Sequence, residues 1–181
     1  MLRRIILGCA VAGALAMTTA PITVAAEEPV LLKVPIAFPT KLPGLGETIK
    51  WLADRMEVLS GGSVKIKVYE PNQLVAPFEI LDAVSSQKVN AGYSTAGYWY
   101  GNMKAAGLFA AVPFGPEAPE YLAWMWYDDG LKLYQEMYDE NGYNVKVHVC
   151  GIIAPETSGW FNEPITSADQ LKGLKMRFFA L

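Results

Sequence analysis

Two β-rich runs in this chain are separated by a single amphipathic helical stretch, and that arrangement limits how the runs can pair. The first, residues 30–38, is rich in Val, Leu and Ile and is stopped by Pro39 and the Pro43-Gly44 pair. Ile49, Leu52, Ala53, Met56 and Leu59 then recur at helical spacing, with Lys50, Asp54, Arg55 and Glu57 between them, up to Gly61-Gly62. Residues 63–70 alternate Val64, Ile66 and Val68 against Lys65 and Lys67, the pattern of a half-buried strand. Strands joined through a helix pair in parallel, because the helix carries the chain back to its starting end.

The same alternation continues downstream. Residues 78–86 repeat a helical pattern through Ile80, Leu81 and Val84, and residues 89–94 form a short strand candidate. Residues 121–141 read as the longest helix, with Gly130 placed to break or kink it. A strand over 143–151, a short helix over 167–171 and an apolar strand over 174–179 complete the series. Helix and strand in turn point to an α/β layered fold. At 52% hydrophobic and 12% aromatic the chain can offset its ordering entropy, so disorder is excluded.

Residues 1–26 read as a separate object. Arg3 and Arg4 open it, residues 5–17 are apolar and uncharged, and Val24-Ala25-Ala26 supplies small residues for cleavage after Ala26. Thr18, Thr19 and Pro21 interrupt the run before it reaches membrane-spanning length. A signal peptide and an exported, soluble product are therefore expected. Its removal lowers 15 basic groups to 13 against 18 acidic ones, and leaves Cys150 as the single cysteine, expected to be a buried structural thiol. The chain ends inside an apolar strand, which reads as a truncated product.

Composition also narrows function. A net charge of −3 argues against nucleic-acid binding, which needs a basic face. His148 is the only histidine, so multi-histidine metal sites are excluded. No phosphate loop, dinucleotide fingerprint, nucleophile elbow or zinc spacing occurs.

Three segments collect unusual residues. In Tyr98-Trp99-Tyr100-Gly101, three consecutive aromatics cannot all face one core, so some meet solvent, a ligand or a partner. In Ala154-Pro155-Glu156-Thr157-Ser158-Gly159-Trp160, a loop follows a strand, where α/β sheets gather ligands; Glu156 is either a solvated acid or part of such a site. Arg177 lies among apolar strand residues and needs a carboxylate partner, either internal or on a ligand.

Taken together, these stretches resemble the substrate-binding proteins of TRAP (tripartite ATP-independent periplasmic) transporters, the DctP-type family. The resemblance runs from Pro43-Gly44-Leu45-Gly46 through Phe78-Glu79-Ile80-Leu81-Asp82-Ala83-Val84 and Ala111-Val112-Pro113-Phe114-Gly115. It ends in Gly159-Trp160-Phe161 and Leu171-Lys172-Gly173-Leu174-Lys175-Met176-Arg177. The branch it is most similar to binds 2-oxo acids and related monocarboxylates.

The resemblance implies a periplasmic binding protein-like fold of two α/β lobes, with a mixed sheet flanked by helices. Residues 27–181 would be its N-terminal part, with the second lobe incomplete. It also implies that Arg177 clamps a ligand carboxylate, Tyr98 hydrogen-bonds it, and Trp99 and Trp160 wall the cleft. Glu156 stands where that branch carries a glutamine that helps hold ligand and cation. It would therefore be the ligand for a Na or Ca ion bridging to the acid. The implied partners are a small organic acid and TRAP membrane permease subunits, with a homodimer as one assembly. No cofactor for chemistry and no catalytic residue is implied. Two other classes stay open: a periplasmic enzyme with Glu156 as general base, and a binding protein of an ABC importer.

Overall fold

A computed structural model of the protein describes residues 28–157 and 159–176. The signal peptide expected over 1–26, Ser158 and Arg177 lie outside the described residues. The first strand, β1 (Val30–Pro35), pairs in parallel with β2 (Val64–Tyr69), in register from Val30 opposite Val64 to Pro35 opposite Tyr69. Between them runs α1 (Glu47–Leu59), so the expected strand–helix–strand unit is present. Gly61 and Gly62 end α1 with φ of +60° and +85°, and the Gly62 N–H returns to the Glu57 carbonyl at 2.8 Å. Only glycine enters that left-handed region without steric cost, which is why the helix stops there.

A third extended stretch meets the other edge of β1, but only briefly. Ile36 bridges Tyr93 in parallel, with Ala37 N–H to Tyr93 O at 2.9 Å and Tyr93 N–H to Pro35 O at 3.0 Å. The strand expected over 89–94 is thus reduced to one bridge. Its earlier part is replaced by the Asn90 side chain, whose carbonyl accepts from Lys33 N–H and whose amide donates to Leu31 O, both at 2.8 Å. An amide has the same donor and acceptor as a peptide unit, so it continues the ladder.

Successive residues of β1 feed opposite layers, as strand geometry requires. Val34 and Ile36 pack with Ile49 on the α1 face, backed by Leu52, Ile66, Val68 and Tyr93. Ala37 turns to the other face and joins Ile80, Leu81, Trp99, Met103, Met137 and Tyr138. Ile36 is fully buried, a contribution of about 1.5–3 kcal/mol. Of the apolar stripe on α1, Ile49 is buried, whereas Leu59 at the helix end is exposed.

The second face is covered by α2 (Ile80–Ser85) and α4 (Gly130–Glu140), together with single-turn helices at Pro77–Glu79 and Ala96–Trp99 and a two-turn one at Lys104–Phe109, while α3 (Ala118–Tyr127) packs on α4. The single helix read over 121–141 is two helices. A β-carbon at Gly130 would lie 2.7 Å from Met125 Cα and 2.9 Å from Trp124 O. The chain turns back on α3 there, and only a residue without a side chain fits.

Residues 143–150 alternate half-buried with exposed positions, yet they are laddered to no strand among the described residues. Val145 and Val147 still pack on the core. Gln135 of α4 takes the place of a neighbouring strand: its amide donates to Val145 O at 2.8 Å and its carbonyl accepts from Val147 N–H at 3.0 Å. Ser85 Oγ accepts from Asn144 N–H at 2.9 Å. Cys150, expected to be buried, is exposed, because it falls on the alternate side that no second strand covers. The helix expected over 167–171 is the single turn Ala168–Leu171, held by a reciprocal Ser167–Gln170 cap. Residues 174–176 are irregular and the remainder of the expected last strand lies outside the described residues.

Candidate functional site

Parallel pairing puts the carboxyl ends of β1, β2 and the Tyr93 stretch on one side of the sheet. That is where α/β folds leave a crevice, since the helices depart from it. From β1 the chain continues through Phe38 into residues 39–46. Thr40 anchors this loop to the end of β2: its N–H and its hydroxyl both donate to the Glu70 carboxylate, at 3.2 and 2.5 Å. From the third stretch the chain passes Ser94, whose Oγ is buried without a hydrogen-bond partner among the described residues, and enters the turn Ala96–Trp99.

The three consecutive aromatics divide as their crowding required. Trp99 is buried in the core, 5% exposed, and does not itself wall a cleft. It meets the Tyr98 ring edge-on at 6.3 Å between centroids. Tyr98 is half-buried, flanked by Phe38 at 5.7 Å and Phe78 at 4.6 Å. Tyr100 turns to the surface, with Lys104 Nζ over its ring at 4.2 Å, beside an apolar groove of about 430 Å³. Of the three, Tyr98 is therefore placed best to present a polar tip at the strand ends while its ring stays packed.

The segment carrying Glu156 approaches over the start of α1. A β-carbon at Gly151 would lie 3.3 Å from the Thr48 methyl, and one at Gly44 would lie 3.7 Å from Ile153. Thr48 Oγ donates to Gly44 O at 2.8 Å and is hydrogen-bonded to the Tyr93 phenol. Desolvation raises the Tyr93 pKa, the Thr48 bond lowers it, and nearby Cys150 raises it further. Burial likewise pushes the Cys150 thiol up, although the residue as a whole is exposed, which disfavours the thiolate. Thr48 and Tyr93 thus join the loop before α1, the third stretch and the segment leading to Glu156. Sequence reading passed over both, because neither breaks an apolar pattern.

Glu156 and Trp160 line one groove of about 850 Å³, with Glu163, Gln170 and Lys175. Glu156 is exposed and Trp160 is 93% exposed, so the tryptophan offers a broad flat wall that nothing described covers. Among the described residues, no three His, Cys, Asp or Glu side chains converge on a point that could hold a metal. A cation here would draw on Glu156 together with carbonyl oxygens or the ligand itself, a donor set suited to a hard ion. The structure brings Glu156 and Trp160 to one groove and places Tyr98 and Trp99 at the strand ends.

Comparison with known proteins adds chemistry to this geometry. The family model for the bacterial extracellular solute-binding protein, family 7 (DctP) matches residues 39–180. A monocarboxylate 2-oxoacid-binding periplasmic protein of Nostoc sp. is 33% identical over 126 residues, 70% of this chain and 34% of that protein. A TRAP periplasmic solute-binding protein of Colwellia psychrerythraea, with bound calcium and pyruvate, superposes with a TM-score of 0.76 at 30% identity, covering 83% of this chain and 45% of that one. A TRAP transporter solute-binding protein of Bordetella bronchiseptica, a mixed-occupancy dimer with calcium and picolinate in one site and an apo site beside it, gives 0.77 at 27% identity, covering 84% and 45%. The chain thus spans less than half the length of these relatives.

Proposed function

This chain belongs to the bacterial extracellular solute-binding protein family 7, and from that membership we propose that it is the periplasmic receptor of a TRAP transporter. Its ligand is a small 2-oxo or 2-hydroxy monocarboxylate, which it hands to the membrane permease subunits. Residues 1–26 direct export and are removed. The observation that carries the reading is the groove that unites Glu156 with Trp160, on the segment that packs against Gly44 and Thr48.

Charge balance then dictates the roles. Arg177 meets the ligand carboxylate with its two-pronged guanidinium, and Tyr98 donates to the same group. Trp160 covers the ligand, and Trp99 acts from the core by holding Tyr98. Arg177 neutralises one negative charge, whereas Glu156 and the acid bring two. A Ca²⁺ or Na⁺ between Glu156 and the ligand removes the like-charge repulsion. Pyruvate and picolinate, found with calcium in the relatives, both carry a donor atom on the carbon bonded to the carboxylate. Such acids chelate a hard cation through two atoms.

Calorimetric titration of the chain with pyruvate, with and without Ca²⁺, tests this. Binding should weaken when the cation is chelated, and Glu156→Gln should reduce the dependence on Ca²⁺. Arg177→Lys loses the fork, and a charge-assisted bond is worth about 1.5–3 kcal/mol, so affinity should fall roughly 10- to 150-fold. Equal affinity with and without cations removes the bridging ion. Equal affinity in the lysine variant removes Arg177 from the site.

A further inference from the structure

Beyond the Gln135 clamp, the chain that carries Glu156 rests on a single seat. Among the described residues, no hydrogen bond is made by or to residues 151–156. Packing holds them instead. A β-carbon at Gly151 would meet the Thr48 methyl at 3.3 Å, Thr48 Oγ at 3.7 Å and Thr48 Cβ at 4.0 Å, and one at Gly44 would meet Ile153 at 3.7 Å. From Ile153 to Glu156 is three residues, a reach of at most about 11 Å.

The seat is rigid. Loop 39–46 is tied to Glu70 through Thr40 and closes tightly on itself. Gly46 N–H donates to Leu42 O at 2.8 Å, and a β-carbon at Gly46 would fall 1.9 Å from Pro39 O. Thr48 follows in the first turn of α1, where its neighbour Ile49 is buried. Its hydroxyl donates to Gly44 O at 2.8 Å, so the bond it shares with Tyr93 is one it accepts from the phenol. With the hydroxyl committed twice, the methyl is left facing Gly151.

We propose that Thr48 is a positioning residue for the cation ligand: its methyl sets how closely the segment at Gly151 lies on α1, and hence how far Glu156 reaches. Gly151 takes part by lacking the β-carbon that would lift the segment away. Groups that orient a metal ligand typically contribute 10- to 100-fold to metal affinity. The assignment rests on the bridging-cation reading above, and names what holds the protein's own ligand to that ion.

The test inserts the missing β-carbon and then removes the atom it meets. Calorimetry on the full 181-residue chain measures the Ca²⁺ concentration needed for half-maximal pyruvate binding in the unsubstituted protein, Gly151→Ala, Thr48→Ser and the double variant. Gly151 is exposed and its φ is not positive, so alanine there leaves the fold intact. Gly151→Ala should raise the Ca²⁺ requirement by about tenfold. Thr48→Ser keeps the hydroxyl and removes the methyl. In the double variant the requirement should return to within about twofold of the unsubstituted value. The metal-free chain gives a second readout: in chelator, the Glu156 amide resonance should move in Gly151→Ala and return in the double variant, at unchanged melting temperature. An unchanged Ca²⁺ requirement in Gly151→Ala, or a loss that persists in the double variant, overturns the role of Thr48 while leaving the cation site in place. An unsubstituted chain that binds no pyruvate, or binds it equally with and without Ca²⁺, overturns the cation reading itself, and the role of Thr48 with it.

Discussion

Replacing Gln135 by alanine should loosen the segment that delivers Glu156 to its groove. The Gln135 side chain makes three hydrogen bonds: to Val145 O at 2.8 Å, from Val147 N–H at 3.0 Å, and to Asp139 Oδ1 at 2.9 Å. The first two satisfy backbone groups in part-buried surroundings, and the third lies on the helix surface. Alanine would strand one carbonyl and one N–H. Each costs about 1–3 kcal/mol when fully buried, and partial access to water brings the pair to about 2 kcal/mol. For a chain of this length that corresponds to a fall of about 4–8 °C in melting temperature. Hydrogen exchange gives the local readout. The Val147 amide should lose protection more than amides of α1, because the lost bond is its own. If Val147 exchange is unchanged and the melting temperature moves by less than about 1 °C, Gln135 does not substitute for a neighbouring strand and the argument fails.

Two further predictions concern the helical layer. Gly130→Ala puts a β-carbon 2.7 Å from Met125 Cα, against backbone that cannot yield, so equilibrium denaturation should show a loss of about 2–4 kcal/mol; a change under about 0.5 kcal/mol contradicts the close approach. Burial raises the pKa of Tyr121 to about 12 and pushes Tyr134 and Tyr138 upward too. A folded pKa above the unfolded value of about 10 contributes stability below pH 10 that is lost on the way to pH 12. Melting temperature should therefore be flat to pH 10 and drop above it, with phenolate absorbance rising late; a flat profile through pH 12 would refute the burial of these rings.

What the sequence revealed follows from how local each signal is. The β1–α1–β2 unit was legible because strand alternation, helical spacing and the Gly61-Gly62 stop all act within a few residues. The Gly130 break was legible for the same reason. The third stretch was misread in extent, since nothing local says that Asn90 will supply its side-chain amide in place of backbone. Residues 143–150 carry an intact alternation, but pairing is a property of two segments, and their clamp comes from Gln135 on a helix surface. Of the candidate site residues, Tyr98 stood out in its run of three aromatics, and Glu156 by its loop after a strand and the family resemblance. The family resemblance placed Trp99 in the cleft beside Tyr98, whereas a one-residue step turned it into the core.

The stretch at 143–150 also bears on how the protein behaves in concentrated solution. A run of alternating valines with no laddered neighbour among the described residues is a template onto which another chain can add its own strand. Val145, Val147 and Val149 are the residues that such self-association favours. Lys146 interrupts them on the uncovered side, and stacking identical strands would bring its ammonium against copies of itself. One lysine in that row thus serves as a gatekeeper against aggregation. Its position reflects a constraint on solubility that neither the core nor the ligand imposes.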